Sequence, residues 1–257
     1  MKSLTAAPFV INLGYILVTG FMLVLAPDLM RNVFDVTGTP NYLIRMTGIP
    51  VLALAAVAQH GMLRGNARTL MDFGMMQIGV AVLYAVIFAI DHVPSNFQVV
   101  TYANAALGLW TFLTARGSPA SRLQTLSRYA PRPRFPELPV VVDLAFLLIL
   151  GMLLFCSPEL MRRLLTAPDS VPLYIGRMFG ALIFAFFSLG LLGLLHGSLV
   201  LLQRLGFVQL LAGLLCAAII VLDGAPSALW SLAGLNILLG AWTARALRTP
   251  GRRSDFR

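Results

Sequence analysis

Long apolar runs, broken only by short polar or proline-containing links, most constrain what this chain can fold into. A helix needs about 20 predominantly apolar residues to cross the hydrocarbon core of a bilayer. Eight segments approach or exceed that length: 8–26, 42–63, 70–90, 98–115, 138–157, 172–197, 205–222 and 227–244. In hydrocarbon the backbone polar groups of a segment must be satisfied internally, which selects helices. The expected fold is therefore an all-α integral membrane protein with eight transmembrane helices. Composition agrees: 58% of residues are hydrophobic and 11% charged, where a soluble domain carries roughly 25% charged residues. A water-soluble domain, a disordered chain and a disulfide scaffold are excluded on that ground. Cys156 and Cys216 lie inside apolar runs without a CxxC or a nearby histidine, and read as small buried hydrophobes.

The formal net charge of +9 does not point to nucleic acid, because the basic residues sit in the links between apolar runs. With the N-terminus taken as cytoplasmic, fourteen Lys and Arg fall on the inside segments and three (Arg31, Arg162, Arg163) on the outside links. That asymmetry places both termini in the cytoplasm of a bacterial-type inner membrane. The first span reads as a membrane helix rather than a cleaved signal, since its charged n-region is Lys2 alone. Segment 116–137 is Arg- and Pro-rich, and Pro131, Pro133 and Pro136 favour an extended course. With the basic tail 245–257 it faces anionic headgroups, so membrane lipids are expected partners.

The two halves resemble each other. Pro27-Asp28-Leu29-Met30-Arg31 recurs as Pro158-Glu159-Leu160-Met161-Arg162, an offset of 131. At an offset of 132, Tyr42, Arg45, Met46 and Gly48 recur as Tyr174, Arg177, Met178 and Gly180, and Asp91, Pro94 and Ser95 as Asp223, Pro226 and Ser227. Asn104, Leu107, Gly108, Trp110 and Thr111 recur likewise as Asn236, Leu239, Gly240, Trp242 and Thr243. Shared hydropathy does not align Asp, Arg, Asn and Trp, so the pattern reads as a duplication. Units of four spans enter the membrane in the same direction, which makes the repeats parallel rather than inverted. The domains follow: repeat 1–115, linker 116–137, repeat 138–244 and tail 245–257. The layout of each half, with its Pro-acid corner and Arg-Met-x-Gly opening to the second span, resembles small four-helix bacterial membrane proteins of the DoxX-like kind. That group is functionally diverse, and the resemblance implies no catalytic residues.

Polar residues inside a bilayer are functional candidates by default. Arg45 and Arg177 stand near the outer ends of spans two and six, each expected to pair within its own half: Arg45 with Asp28 or Asp91, Arg177 with Glu159 or Asp223. Asn12 and Asp143 align at offset 131, and Asp143 reads as the one acid deep inside a span. Asn104 and Asn236 share a helix face with Gly108 and Gly240, a pattern for close helix approach and hydrogen bonding across an interface. Gly176 and Gly180 form a GxxxG pair of the same kind. Pro50, inside span two, points to any cavity being near the outer half of that span. Ser95 and Ser227 read as helix N-caps.

His60 and His196 end spans two and six, where two histidines near a pseudo-twofold axis suit a b-type haem. The expected reading is instead of interfacial histidines near Arg64 and Arg204, with no cofactor or metal, and haem b stands as the alternative. The chain carries no HExxH, haem-attachment CxxCH or phosphate-binding glycine loop. The expected function is a small-molecule or lipid carrier or channel with its site between the repeats, and not an enzyme. The alternatives are an accessory subunit of a larger membrane complex, which makes other membrane subunits its partners, and a haem- or quinone-linked redox protein.

Overall fold

The computed structural model describes residues 3–36, 38–63, 67–117, 137–164 and 167–247. The expected extended course of 116–137 falls almost wholly outside them, as do Lys2, Arg64 and the tail from 248 onward. The described residues are helical, with no strand among them. In order they form α1 (Ser3–Leu25), α2 (Pro27–Val33), α3 (Asn41–Leu63), α4 (Ala67–Ile90) and α5 (Asn96–Arg116). Then follow α6 (Glu137–Cys156), α7 (Pro158–Leu164), α8 (Leu173–Leu195), α9 (Leu199–Asp223) and α10 (Leu229–Ala246). Six of these are long and apolar enough to cross a membrane: α1, α3, α4, α6, α8 and α9. The structure thus bears out an all-α, multi-pass membrane protein. α5 and α10 are less apolar, because Asn104, Thr101 and Thr111 interrupt one and Asn236, Ser231 and Thr243 the other.

Proline sets the corners. Pro27 and Pro158 stand at the first position of α2 and α7, where a missing N–H leaves no bond unmade. Gly224 closes α9 in the left-handed conformation, with φ of +61°, which a residue without Cβ adopts freely. The serine caps differ from expectation. Ser95 occupies the N-cap of α5 but in helical geometry, and its hydroxyl makes no cap bond. α10 begins at Leu229 with Ala228 as its N-cap, so Ser227 lies one residue too early. In both turns backbone bonds back to the proline carbonyl, Phe97 N–H to Pro94 and Leu229 N–H to Pro226, take over the start of the helix.

Glycine decides which helices touch. A Cβ on Gly108 would lie 3.0 Å from the Gly74 carbonyl oxygen, so α5 meets α4 backbone to backbone. A Cβ on Gly240 would lie 2.5 Å from the Leu210 amide nitrogen and 2.7 Å from the Gly206 oxygen, which gives α10 and α9 the same crossing. α1 meets α3 at Gly20 and Gly48, and α6 meets α8 at Gly151 and Gly180. Such close approach is how helices associate where lipid removes the hydrophobic difference between inside and outside. Of the GxxxG pair only Gly180 stands at such a crossing. A Cβ on Gly176 would make ordinary contact with Pro158.

The two halves hold each other through their middle helices. α3 packs on α9 and α4 on α8 more extensively than α3 on α4 or α8 on α9. One apolar core runs through both halves, from Ile16 and Phe73 to Leu147 and Leu189. Phe97 joins them at one end, stacked on Phe34 at 4.4 Å and edge-on to Tyr174 at 5.7 Å. Cys216 is buried as expected, but Cys156 is exposed, being the last residue of α6 and turned away from its neighbours.

Candidate binding cavities and their polar ends

Two of the cavities among the described helices have corresponding linings. The first, about 100 Å³, is walled mainly by α1, α3, α4 and α5 and is closed by Ile175, Met178 and Leu182 of α8. The second, about 70 Å³, is walled mainly by α6, α8, α9 and α10 and is closed by Met46, Ile49 and Pro50 of α3. Their linings correspond at the sequence offset: Gln77 with Gln209, Tyr84 with Cys216, Asn104 with Asn236, Leu182 with Pro50. Each cavity therefore belongs to one half and is bounded on one side by the other half's second long helix. Pro50 stands inside α3 without interrupting it and lines the second cavity, while Thr47, Val51 and Leu54 of the same helix line the first.

Beside the first cavity, Asn12, Gln77 and Thr111 form a closed polar cluster in the core. Asn12 Nδ2 donates to Gln77 Oε1 at 2.6 Å and to Thr111 Oγ1 at 2.7 Å, and Gln77 Nε2 donates back to Asn12 Oδ1 at 2.9 Å. Two facing amides complement each other, since each carries donor and acceptor. At the offset positions stand Asp143, Gln209 and Thr243, all buried. Thr243 Oγ1 donates to Asp143 Oδ2 at 3.1 Å. Asp143 Oδ1 and Gln209 Nε2, both buried, are the acceptor and donor at the positions of the Asn12–Gln77 bond, and face each other in looser geometry. Asp143, Gln209 and Thr243 all line the second cavity. An ionised carboxyl in place of the amide still accepts from the glutamine and the threonine but has no N–H to give them.

The asparagines on the last helices behave differently. Asn104 Nδ2 bonds the Val100 carbonyl of its own helix and reaches Tyr15 of α1 at 3.4 Å, so it spans an interface. Asn236 bonds the Leu232 carbonyl of its own helix α10.

The arginines exchange partners. Arg177 of α8 pairs with Asp91, after α4, and its Nε donates to the Phe155 carbonyl at 3.2 Å. Arg45 of α3 pairs with Asp223, the last residue of α9, at 3.5 Å. Pairing within each half is thus corrected. Asp28 instead bonds Arg31, and Glu159 bonds Arg162 and Arg163. The reason is the packing of α3 on α9 and α4 on α8, which brings each arginine to the other half's aspartate. Both guanidiniums already face a carboxylate, which leaves little for an external anion.

Asp143 is not the one acid inside a helix. Asp72, on the second turn of α4, is equally buried. Its Oδ2 accepts from His196 Nδ1 at 3.2 Å and its Oδ1 lies 3.4 Å from Arg68 Nε, while Arg68 also bonds His196 Nε2. Both ring nitrogens of His196 are engaged, so haem ligation by His60 and His196 requires displacing Arg68 or Asp72. The i, i+4 spacing of Arg68 and Asp72 was the available signal for this cluster. It is one-sided, since Arg204 stands 132 residues after Asp72. No family model matches the chain, and no curated protein or solved structure matches it either.

Proposed function

We propose that this chain is an eight-span protein of a bacterial-type inner membrane, built as two parallel four-helix repeats, that binds and carries a small, mainly apolar molecule or lipid. The observation that carries the reading is the pair of corresponding cavities, each walled by one half and closed by the other. A wall supplied by the other half links occupancy of a cavity to how the halves sit on each other, which a carrier requires. The duplication is supported by the matched glycine crossings and the exchanged Arg–Asp pairs. The two further spans are supported by the length of α5 and α10, 21 and 18 residues. At 1.5 Å per residue each reaches about 30 Å, the thickness of the hydrocarbon core. Cytoplasmic termini rest on the count of basic residues, several of them outside the described residues.

A native mass spectrum of the protein, extracted from its host in mild detergent, tests this. The expected result is the 27.9 kDa chain with a retained small molecule or lipid. A bare chain overturns the reading, and a stable assembly with other subunits replaces it by that of an accessory subunit.

A further inference from the structure

The first cavity carries two phenolic hydroxyls that the second lacks. We infer that it is a ligand site and that it takes a flat ring compound bearing a hydrogen-bond-accepting oxygen, of the aryl ketone kind. The inference rests on the carrier reading and names the chemistry that one cavity admits.

Three observations carry it. The first is the pair of phenols. Tyr84 of α4 is 5% exposed, lines the cavity and makes no hydrogen bond among the described residues. Tyr15 of α1 lines it too, and its oxygen accepts from Asn104 Nδ2, which leaves its own O–H to be placed. The two phenols interact electrostatically but share no hydrogen bond. Each therefore has a proton to give, and a buried donor without an acceptor is costly. A carbonyl oxygen has two lone pairs and no proton, so one such atom answers both. The second observation is the wall. Tyr15, Phe34, Phe73, Tyr84 and Phe97 line this cavity, whereas Phe179 and Phe186 are the aromatic residues of the other. Aromatic faces and edges favour a further ring between them. The volume, about 100 Å³, is of the order of the cavities of about 150 Å³ that admit benzene. The third is the contrast between halves. Phe146 and Cys216 stand at the offset positions of Tyr15 and Tyr84, so the second half builds the same helices without either hydroxyl. The scaffold does not require the two phenols.

The test uses the full chain in lipid nanodiscs with 3-fluorotyrosine in place of tyrosine, the fluorine resonances of Tyr15 and Tyr84 being assigned by Tyr15→Phe and Tyr84→Phe. Acetophenone and ethylbenzene share a ring and differ in the oxygen. Each is titrated as its mole fraction in the bilayer, so that partitioning cancels. Acetophenone is expected to move both resonances at a mole fraction about tenfold lower than ethylbenzene, the ratio two modest hydrogen bonds supply. An open-chain ketone, 2-octanone, is expected to need several-fold more than acetophenone, because it offers the oxygen without the ring. Tyr84→Phe keeps the aromatic wall and removes one donor. It is expected to lose most of the acetophenone advantage, read at Tyr15, while melting no lower than wild type. Equal midpoints for acetophenone and ethylbenzene, or an advantage undiminished in Tyr84→Phe, overturn the inference and leave the cavity as a site for apolar molecules. A response of neither resonance to any of the three also overturns it. A molecule retained in the native mass spectrum then keeps the carrier reading, and a bare chain removes both.

Discussion

Asn12 and Asp143 stand at corresponding positions, and their surroundings repeat: a glutamine on the next helix pair, a threonine on the last. The amide both donates and accepts within its cluster, whereas the carboxyl accepts from Thr243 and faces the Gln209 amide. The difference teaches where the halves keep their likeness and where they depart from it. At the Asp91 and Asp223 end both halves follow one rule, each arginine bonding the other half's aspartate. At the opposite end of α4 only one half carries a buried ionic cluster, Asp72 with Arg68 and His196. Likeness persists where the halves are joined, and departure concentrates in polar groups that a scaffold does not need.

That comparison breaks first at the glycine crossings. Gly108→Val and Gly240→Val both push a side chain into backbone, which cannot yield, and each is expected to destabilise by about 3 kcal/mol. Unfolding in mixed micelles checks it. A large loss for one variant and none for the other would mean that the two crossings are not equivalent. The next effect is Asn12→Asp, which removes the donor shared by Gln77 and Thr111 and is expected to destabilise by about 2 kcal/mol. Asp143→Asn is expected to move stability the other way. If both variants shift the melting temperature in the same direction, the contrast between the clusters is wrong.

A smaller effect follows at the ion pairs. Asp91→Ala and Asp223→Ala each strand an arginine whose side chain is about one-fifth exposed. The expected loss is about 1.5 kcal/mol each, less than for a fully buried pair. The reversed pair, Arg177→Asp with Asp91→Arg, should recover part of it, whereas Arg177→Asp with Asp223→Arg should not. The smallest is His196→Ala, expected to lose about 1 kcal/mol because Arg68 still faces Asp72. Arg204→Ala in the other half should lose less, because an exposed arginine stands there in place of the buried Asp72.

Much of the fold was legible because helices of this kind are written locally. Apolar length locates α1, α3, α4, α6, α8 and α9, and proline places the corners before α2 and α7. The candidate site was legible only in part. Asp143, Asn236 and Pro50 could be named from burial expected in a span, and all three line the second cavity. Gln77 and Gln209 were passed over, although the repeat offset aligns them, because one glutamine in an apolar run carries no mark of its partner. Asp72 was passed over because it stands near a helix end, where an acid is ordinarily solvated.

What the sequence determined by itself is the set of helices, their corners and the correspondence between halves, since these depend on hydropathy, chain stiffness and residue identity along the chain. The tertiary structure alone decided that Arg45 meets Asp223, that Arg177 meets Asp91, and that each half's cavity takes one wall from the other half. Those outcomes depend on α3 lying against α9 and α4 against α8. Partners more than 80 residues apart in the chain are selected by how helix surfaces fit, and no local pattern records that fit.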